Sequence, residues 1–301
     1  MAKSKVNKRK VLYWVVGIIL GIYALSMLIP CWFLVINSFK TDFDYRGLLP
    51  EYEKVKNAFS IPRDFTFEQY KNASLSAKQY ARASIFTLYM NSIIMTIAST
   101  LLATVATVMT AYACARFKFR GQGLIVGIGV GALVFPDFGS AAVIFKFYHA
   151  TGLFNTWGVL WPNLNPFGLM FLIVYSQFRT ISGTYAEAAK IDGASELRIM
   201  VQIMVPMIKG TVGMMIVMSA IGSWNNYYTS WMYLPSKPTI ALGMYYITQY
   251  DRSSVPAVCA IMVICILPLV ILFVCMRDTI ISNTAAGGLK GYGRYSFGAW
   301  I

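Results

Sequence analysis

Charged residues are scarce in this chain, and their scarcity is the first guide to its class. Of the 301 residues, 13 % are charged and 57 % are apolar. Soluble domains carry about a quarter charged residues, whereas proteins with several membrane spans carry far fewer. The sequence therefore predicts an all-α integral membrane protein.

The residues that build most catalytic and metal centres are also few. The chain has a single histidine, which excludes a histidine-built metal site or catalytic triad. It has no G-x4-G-K-[ST] sequence, no nucleophile elbow and no pattern of paired carboxylates. We predict no catalytic residue, no metal ion and no cofactor in this chain. The cysteines lie in or beside apolar stretches, and we expect them to be small buried hydrophobic residues: Cys31, Cys114, Cys259, Cys265 and Cys275.

Long apolar stretches predict six membrane spans, since about 20 residues cross a hydrocarbon core of about 30 Å. The first span is 12–37, after a basic N-terminal segment at 1–11. An outer loop follows at 38–85, then a core domain at 86–281 and a C-terminal tail at 282–301. The five spans of the core are expected at about 86–113, 123–148, 157–178, 208–234 and 255–277.

The net charge of +14 comes largely from short segments beside these spans, so we expect no nucleic-acid partner. Segments 1–10, 114–122, 179–210 and 277–301 share one side of the membrane, and they hold fifteen basic and four acidic residues. The other side holds eleven basic and eight acidic residues. Because basic residues accumulate on the cytoplasmic side, we predict that both termini are cytoplasmic.

The connector at 183–210, GTYAEAAKIDGASELRIMVQIMVPMIKG, is polar and too long for a plain loop. Thr184 and Glu187 have the spacing of a capping box, and Ser195 is placed to cap a second helix. Asp192-Gly193 is a turn dipeptide between them, and Pro206 marks the approach to the next span. The connector therefore predicts a helix, a glycine bend and a second helix at the membrane surface.

The same residues resemble the EAA loop of ABC-importer membrane subunits, whose pattern is E-A-A-x3-G-x9-I-x-L-P. The residues that match are Glu187, Ala188, Ala189, Gly193, Ile203 and Pro206, and Val205 replaces the usual leucine. Further stretches resemble carbohydrate permeases related to the maltose importer, and the likeness extends over roughly residues 12–291: NSFK at 37–40, YMNSIIMT at 89–96, AYACARFKFRG at 111–121, TGLFNTWG at 151–158, GSWNNYY at 222–228 and AAGGLKG at 285–291.

This resemblance implies a type I ABC-importer transmembrane domain with six transmembrane helices and cytoplasmic coupling helices, in a bacterial cell membrane. The implied partners are a second permease in a heterodimer, two ATPase subunits that bind ATP and Mg²⁺, an extracytoplasmic solute-binding protein and membrane lipid. The implied ATPase-coupling residues are Thr184, Glu187, Ala188, Ala189, Asp192, Gly193, Ala194, Ser195 and Pro206.

Polar residues inside the spans are costly in lipid, so each faces either a partner helix or a water-filled cavity. The set is Asn91, Asp137, Asn163, Asn165, Gln177, Asn225 and Asn226. Trp224 beside two asparagines suits a sugar, because an aromatic face stacks on a pyranose ring and amides bind hydroxyls. The translocation pathway is therefore predicted at Asn91, Asp137, Trp224, Asn225 and Asn226, with interhelical packing as the alternative.

Other functions stay open on the residues alone. They are an ABC permease for another class of solute, a secondary transporter, a membrane scaffold and a membrane-bound enzyme. A secondary transporter needs internal repeats and ion-coupling carboxylates at mid-membrane, where Asp137 is a lone candidate. The outer segment IPRDFTFEQYKN at 61–72 is either a short amphipathic helix on the membrane surface or a docking site for a binding protein.

Overall fold

Helices dominate this protein. The computed structural model describes residues 8–46, 58–134, 139–250 and 254–286, and among these residues there is no strand. The chain forms two compact units, one made of Met1–Ile85 and Gly243–Leu267 and the other of Phe86–Leu242 and Pro268–Ile301. The predicted all-α class is confirmed for the described residues.

The helices are numbered here in chain order. The first are α1 (Lys8–Ser26), α2 (Leu28–Ser38), α3 (Asp42–Arg46), α4 (Glu68–Tyr80), α5 (Ile85–Arg116), α6 (Gln122–Val134) and α7 (Ser140–Ala150). A 3₁₀-helix at Trp157–Leu164 precedes α8 (Leu169–Thr180), α9 (Thr184–Ile191) and α10 (Glu196–Ile199). A π-helical turn at Met200–Met204 leads to α11 (Val205–Met207), α12 (Lys209–Trp224), α13 (Tyr227–Tyr233), α14 (Ile240–Tyr250) and α15 (Val255–Ala286).

Three of the described helical segments are each long and apolar enough to cross a membrane: Leu12–Ser38, Ile85–Arg116 and Val255–Arg277. Two further pairs qualify if each bent pair counts as one span. These are Trp157–Leu164 with Leu169–Thr180, bent by 47°, and Glu196–Met207 with Lys209–Trp224, bent by 86°. In the predicted span 123–148, residues 135–138 lie outside the described part of the chain. The count of six spans stays a prediction.

Proline accounts for both bends. Pro166 forces the preceding Asn165 into an extended conformation, with φ −66° and ψ 115°, which ends the 3₁₀-helix. Pro206 has no N–H to donate to the preceding turn, and its ring crowds the carbonyl one turn back. The turn before it is widened to a π-helix, and the 86° break follows at Ile208.

The predicted span 208–234 is interrupted as well. Helix α12 ends at Trp224 and α13 begins at Tyr227, so Asn225 and Asn226 form a break between two helices. The expectation of one continuous helix through both asparagines is therefore wrong. Asn225 donates from its side chain to the carbonyl of Ile221 at 3.0 Å. Asn226 accepts from the backbone N–H of Thr229 at 3.0 Å, as the N-cap of α13.

Helix α5 supplies hydrogen bonds to the irregular backbone around it. The amide of Asn91 donates to the carbonyl of Pro238 at 2.9 Å, and the hydroxyl of Ser92 accepts from the N–H of Ile240 at 2.7 Å. Further along the same helix, Thr107 donates to the carbonyl of Pro166 at 3.3 Å. At its end, Arg116 donates to the carbonyl of Ile181 at 2.9 Å.

A hydrophobic core joins the end of α5 to α8 and to the 183–210 connector. Phe171, Phe178, Ile199 and Met204 are fully buried within it. Tyr112 of α5 meets Phe178 edge-on, with ring centroids 5.4 Å apart. The connector is therefore packed firmly onto the helices that lead into it.

The first unit holds a buried polar group of its own. Lys40 is fully buried and lies within 3.5 Å of the carbonyl of Ala58. Burial lowers the pKa of Lys40, and the nearby carboxylate of Asp44 opposes that shift. The hydroxyl of Ser254 donates to Asp42 and also lies 3.4 Å from the side-chain oxygen of Gln69.

The cysteines divide into two groups. Cys114, Cys259 and Cys265 are buried as expected. Cys31 and Cys275 are exposed, so the expectation of burial is wrong for these two. Both lie on helical segments apolar enough to span a membrane, where an exposed small apolar side chain suits lipid.

Two isoleucines of the connector provide a matched test of this packing. Ile199 is 0 % exposed and Ile191 is 88 % exposed. Ile199→Ala leaves a cavity, and we expect it to lower the free energy of unfolding by about 2–4 kcal/mol. Ile191→Ala serves as the control and should stay within about 0.5 kcal/mol. Thermal unfolding in detergent measures both, and equal melting temperatures would contradict the packing described here.

Candidate functional site

The 183–210 connector folds as a helix, a glycine bend and a helix, as its sequence predicts. Helix α9 ends with Gly193 in the left-handed region, at φ +76°. The N–H of Gly193 donates to the carbonyl of Lys190 at 3.0 Å, and that of Ala194 donates to the carbonyl of Ala189 at 2.9 Å. This pair of bonds is a Schellman motif, in which glycine is favoured because a Cβ is strained at positive φ.

Of the two helix caps predicted in the connector, one is present and the other is not. Ser195 caps α10, since its hydroxyl accepts from the N–H of Arg198 at 3.4 Å. Thr184 does not cap α9, because it is the first helical residue and Gly183 stands at the cap. The predicted capping box of Thr184 and Glu187 is therefore wrong. Ser182 replaces it, and its hydroxyl accepts from the N–H of Thr184 at 3.3 Å.

Electrostatic contacts hold the two short helices together across the bend. Lys190 at the end of α9 forms an ion pair with Glu196 at the start of α10. The other carboxylate oxygen of Glu196 lies 3.5 Å from the hydroxyl of Tyr112 on α5. The bend is thereby tied both to itself and to a long helix of the same unit.

The predicted coupling residues do not share one face. Ala189 is buried in the hydrophobic core, so it packs the connector onto its own helices, and Ala194 is half-buried. Ala188 and Ala189 do not form one exposed face, because only Ala188 is exposed. The remaining predicted coupling residues are all exposed: Thr184, Glu187, Asp192, Gly193, Ser195 and Pro206.

Sequence reasoning missed three exposed apolar residues close to the glycine bend of this connector. Tyr185, Ile191 and Leu197 are 52 %, 88 % and 62 % exposed. They lie on and beside the glycine bend, among polar neighbours. The available signal was their spacing, since none of them shares the helical period of Ile199 and Ile203, which pack on the core.

Of the predicted pathway residues, Asn226 lines a polar cavity of about 230 Å³. Asn163, a polar span residue in the sequence, lies there too, and its amide is 3.4 Å from the hydroxyl of Ser99. Ser223 adds a buried hydroxyl without a hydrogen-bond partner. The other lining residues are Met95, Leu160, Ser219, Gly222 and Thr229.

Trp224 does not line the polar cavity of Asn226. It is buried, its ring meets Tyr89 edge-on at 5.8 Å between centroids, and it lines an apolar cavity of about 340 Å³ beside Pro268. Asn225 is exposed, and Asn91 is held by its bond to Pro238. Asp137 lies outside the described residues. The structure therefore does not bring the predicted pathway residues together.

Comparisons with known proteins match the chain over most of its length. The diacetylchitobiose uptake system permease protein of Streptomyces coelicolor is 26 % identical, over 90 % of this chain and 87 % of that protein. The melibiose/raffinose/stachyose import permease protein of Bacillus subtilis is 24 % identical, over 92 % and 96 %. The chain is a relative of carbohydrate ABC-importer permeases. The resemblance expected from the motifs is thereby confirmed.

A third relative matches this chain over nearly the whole length of both proteins. The probable starch degradation products transport system permease protein of Thermoanaerobacterium thermosulfurigenes is 26 % identical, over 95 % of this chain and 99 % of that protein. No protein-family model matches the chain. Similarity to membrane permeases, together with the apolar helices, identifies it as an integral membrane protein.

A solved structure agrees at the level of fold. A bacterial ABC transporter involved in the import of the acidic polysaccharide alginate has a chain that matches with a TM-score of 0.75 at 22 % identity. The match covers 92 % of this chain and 99 % of the other. The helical fold of this permease relative is therefore that of an ABC-importer chain.

The two caps of the connector can be tested against each other. Ser195→Ala removes the acceptor for the N–H of Arg198, and we expect a loss of about 1 kcal/mol in local stability. Amide hydrogen exchange over 196–199 should then become roughly fivefold faster. Thr184→Ala is the control and should leave exchange in α9 unchanged. Faster exchange in α9 for Thr184→Ala would restore the capping box that the structure lacks.

Proposed function

We propose that this chain is the membrane-spanning permease subunit of an ATP-driven ABC importer that carries a carbohydrate delivered by an extracytoplasmic binding protein. The observation that carries the proposal is similarity to sugar permeases over nine-tenths of the chain, with the glycine-bent connector inside the matched length. The named relatives are transport components, and we assign this chain no catalytic step of its own.

The proposed assembly contains a second permease, two ATPase subunits and the binding protein. ATP and Mg²⁺ belong to the ATPase subunits in this proposal. The chain itself has six spans with both termini and the 183–210 connector in the cytoplasm, on the strength of the charge count between the two sides. This orientation puts the connector where an ATPase can reach it.

Coupling to the ATPase is proposed to run through the connector as a stiff lever. The Schellman motif, the Lys190–Glu196 ion pair and the buried Ile199 hold its two short helices in one arrangement. A rigid element transmits a displacement instead of absorbing it. Closure of the ATPase dimer would move this lever and, through the core at Phe178, the helices that carry the solute path.

The exposed apolar residues of the connector are the proposed contact points. Tyr185, Ile191 and Leu197 sit among charged neighbours, which is the composition of an interface centre with a polar rim. Glu187 and Asp192 are exposed beside them and available to basic residues of an ATPase. Ala189 has no place in this contact, because it is buried.

The solute path is proposed at the polar cavity of Asn226 and Ser223. Its hydroxyl and amide groups match the hydrogen bonding of a sugar, and the described residues that line it include no charged side chain. The cap on α13 uses the side-chain oxygen of Asn226, which leaves its amide nitrogen as a donor. A neutral sugar is therefore favoured over an acidic one. Trp224 is assigned to packing.

Purification of the assembled complex tests this function together with the bend. Gly193→Val places a β-branched residue at positive φ, which costs more than the roughly 1–2 kcal/mol typical of other residues. No neighbour lies within 4 Å of the Cβ position, so the effect is one of backbone alone. We expect Gly193→Val to abolish ATP-driven sugar uptake, and the control Gly193→Asn to retain most of it.

The readouts are co-purification of an ATPase and uptake into proteoliposomes. Absence of any ATPase partner from the wild-type complex would refute the ABC function. Equal uptake by the two Gly193 variants would refute only the coupling role of the bend.

A matched pair of substitutions tests the proposed solute path. Asn226→Asp keeps the oxygen that caps α13 but replaces the amide donor with a charged acceptor. We expect the KM for uptake to rise roughly tenfold, the equivalent of about 1.4 kcal/mol, with assembly intact. Asn165→Asp is the control, since the side-chain oxygen of Asn165 likewise accepts from a backbone N–H, that of Phe167, and Asn165 lies outside the cavity. Identical kinetics in both variants would move the sugar contacts to the partner permease.

A further inference from the structure

In the first unit, one stretch of ten consecutive residues carries four large apolar side chains that are exposed. They belong to the loop Ala58–Phe67, called here the 58–67 loop. Ile61, Phe65 and Phe67 are 63 %, 67 % and 74 % exposed, and Phe59 is also exposed. Monomeric soluble surfaces rarely display such a concentration, and where it occurs it marks contact with a partner or a membrane.

Ring contacts fix the depth of this loop relative to the first apolar span. Phe59 meets Phe33 with centroids 5.5 Å apart. Phe33 lies five residues before Ser38, the last residue of the Leu12–Ser38 span. At 1.5 Å per residue, that is about 8 Å inside the end of the span. The loop therefore reaches down beside the span instead of standing clear of it.

The other end of the loop lies level with the end of the span. Phe39, the first residue after it, meets Phe65 at 6.1 Å and Phe67 at 5.5 Å between ring centroids. The exposed rings thus occupy the layer where a hydrocarbon core meets the headgroups. Aromatic side chains are enriched in that layer of membrane proteins.

Polar tethers hold the loop in this position. Asn37 is fully buried and donates to the carbonyl of Ala58 at 2.9 Å. The N–H of Arg63 donates to Asp44 at 3.0 Å, and the hydroxyls of Ser38 and Tyr70 lie 3.0 Å apart. The exposure of the rings is therefore a fixed feature of the fold.

We propose that the 58–67 loop inserts its exposed side chains into the headgroup–acyl boundary of the membrane leaflet that meets the end of the first span. The exposed apolar surface runs on into the span itself, at Trp32 and Val35. The side chain of Arg63 is 79 % exposed, with its Nε 4.0 Å from Asp44, and is available to lipid phosphates. The inference depends only on the chain spanning a membrane, and not on the solute or the ATPase.

Helix α4 has a different surface from the loop that precedes it. Its inner face buries Gln69, Ala73 and Ala77. Its outer face exposes Glu68, Lys71 and Lys78 around a single large apolar side chain, Leu75. A helix that lies in a membrane interface exposes an apolar face to lipid. The loop carries the membrane contact, and α4 faces water.

Depth-dependent quenching tests this placement in the assembled complex. An environment-sensitive fluorescent amino acid is introduced by amber suppression at Phe65, at Ile61 or, as the control, at Lys78. Each complex is reconstituted into lipid nanodiscs that carry a nitroxide on the headgroup or on a shallow acyl carbon. We expect blue-shifted emission and roughly twofold or more stronger quenching at Phe65 and Ile61 than at Lys78, since interfacial side chains lie at that depth.

Two results would overturn the proposal. In the first, quenching at both loop positions equals that at Lys78, which places the loop in water. In the second, lipid nitroxides leave the loop positions unquenched, and addition of the purified solute-binding protein shifts their emission, which makes the loop a protein contact. Replacement of Phe65 removes a ring contact and could disturb the fold. The probe at Ile61 tests the same placement without removing any ring contact.

Discussion

Backbone hydrogen bonding in a medium without water is the constraint on which this structure depends. A continuous helix satisfies its own N–H and C=O groups, but each break frees several of them, and in hydrocarbon each unpaired group costs several kcal/mol. The breaks in this chain are therefore placed beside side chains that replace the lost partners. Thr107 donates a hydrogen bond to the carbonyl of Pro166. Asn225 donates to a carbonyl at the end of α12, and Asn226 accepts from an N–H at the start of α13.

The same constraint gives α5 its central place in the second unit. Its hydrogen bonds to Pro238, Ile240, Pro166 and Ile181 support three separate stretches of chain from one long helix. Its last turns also contribute to the core that holds the 183–210 connector. The polar cavity at Asn226 and the glycine bend at Gly193 are thus attached to one common element, although about thirty residues separate them along the chain.

The sequence predicted the local chemistry of the connector better than the paths of the spans. Gly193 and Ser195 act through their immediate neighbours, so their roles were visible in a short window. The capping box of Thr184 and Glu187 failed because the helix begins one residue earlier. The N–H of Glu187 donates to the carbonyl of Gly183, and the hydroxyl of Ser182 accepts from the N–H of Thr184 that the Glu187 side chain would have taken. Asn225 and Asn226 were interpreted as pathway residues on a single helix. Hydropathy does not register a two-residue break inside an apolar stretch, so their capping roles were hidden.

The polar cavity at Asn226 was the least predictable feature, for a related reason. Its lining combines Ser99 and Asn163 with Ser223 and Asn226, which come from three separate stretches of chain. Serine is common at helix contacts within membrane spans, so Ser99 and Ser223 gave no indication in the sequence of a polar cavity. Trp224 carried a false one, because its neighbours in sequence face a different cavity from its own side chain.

The length of α5 also has a mechanical meaning. It is 32 residues long and so measures about 48 Å at 1.5 Å per residue. A tilt of about 5° would carry one end roughly 4 Å sideways relative to the other, by the geometry of a rigid rod of that length. Asn91 and Arg116 sit near opposite ends, each holding a different piece of irregular backbone. Along such a rod, a small rotation at one membrane face becomes a displacement as wide as a water molecule at the other.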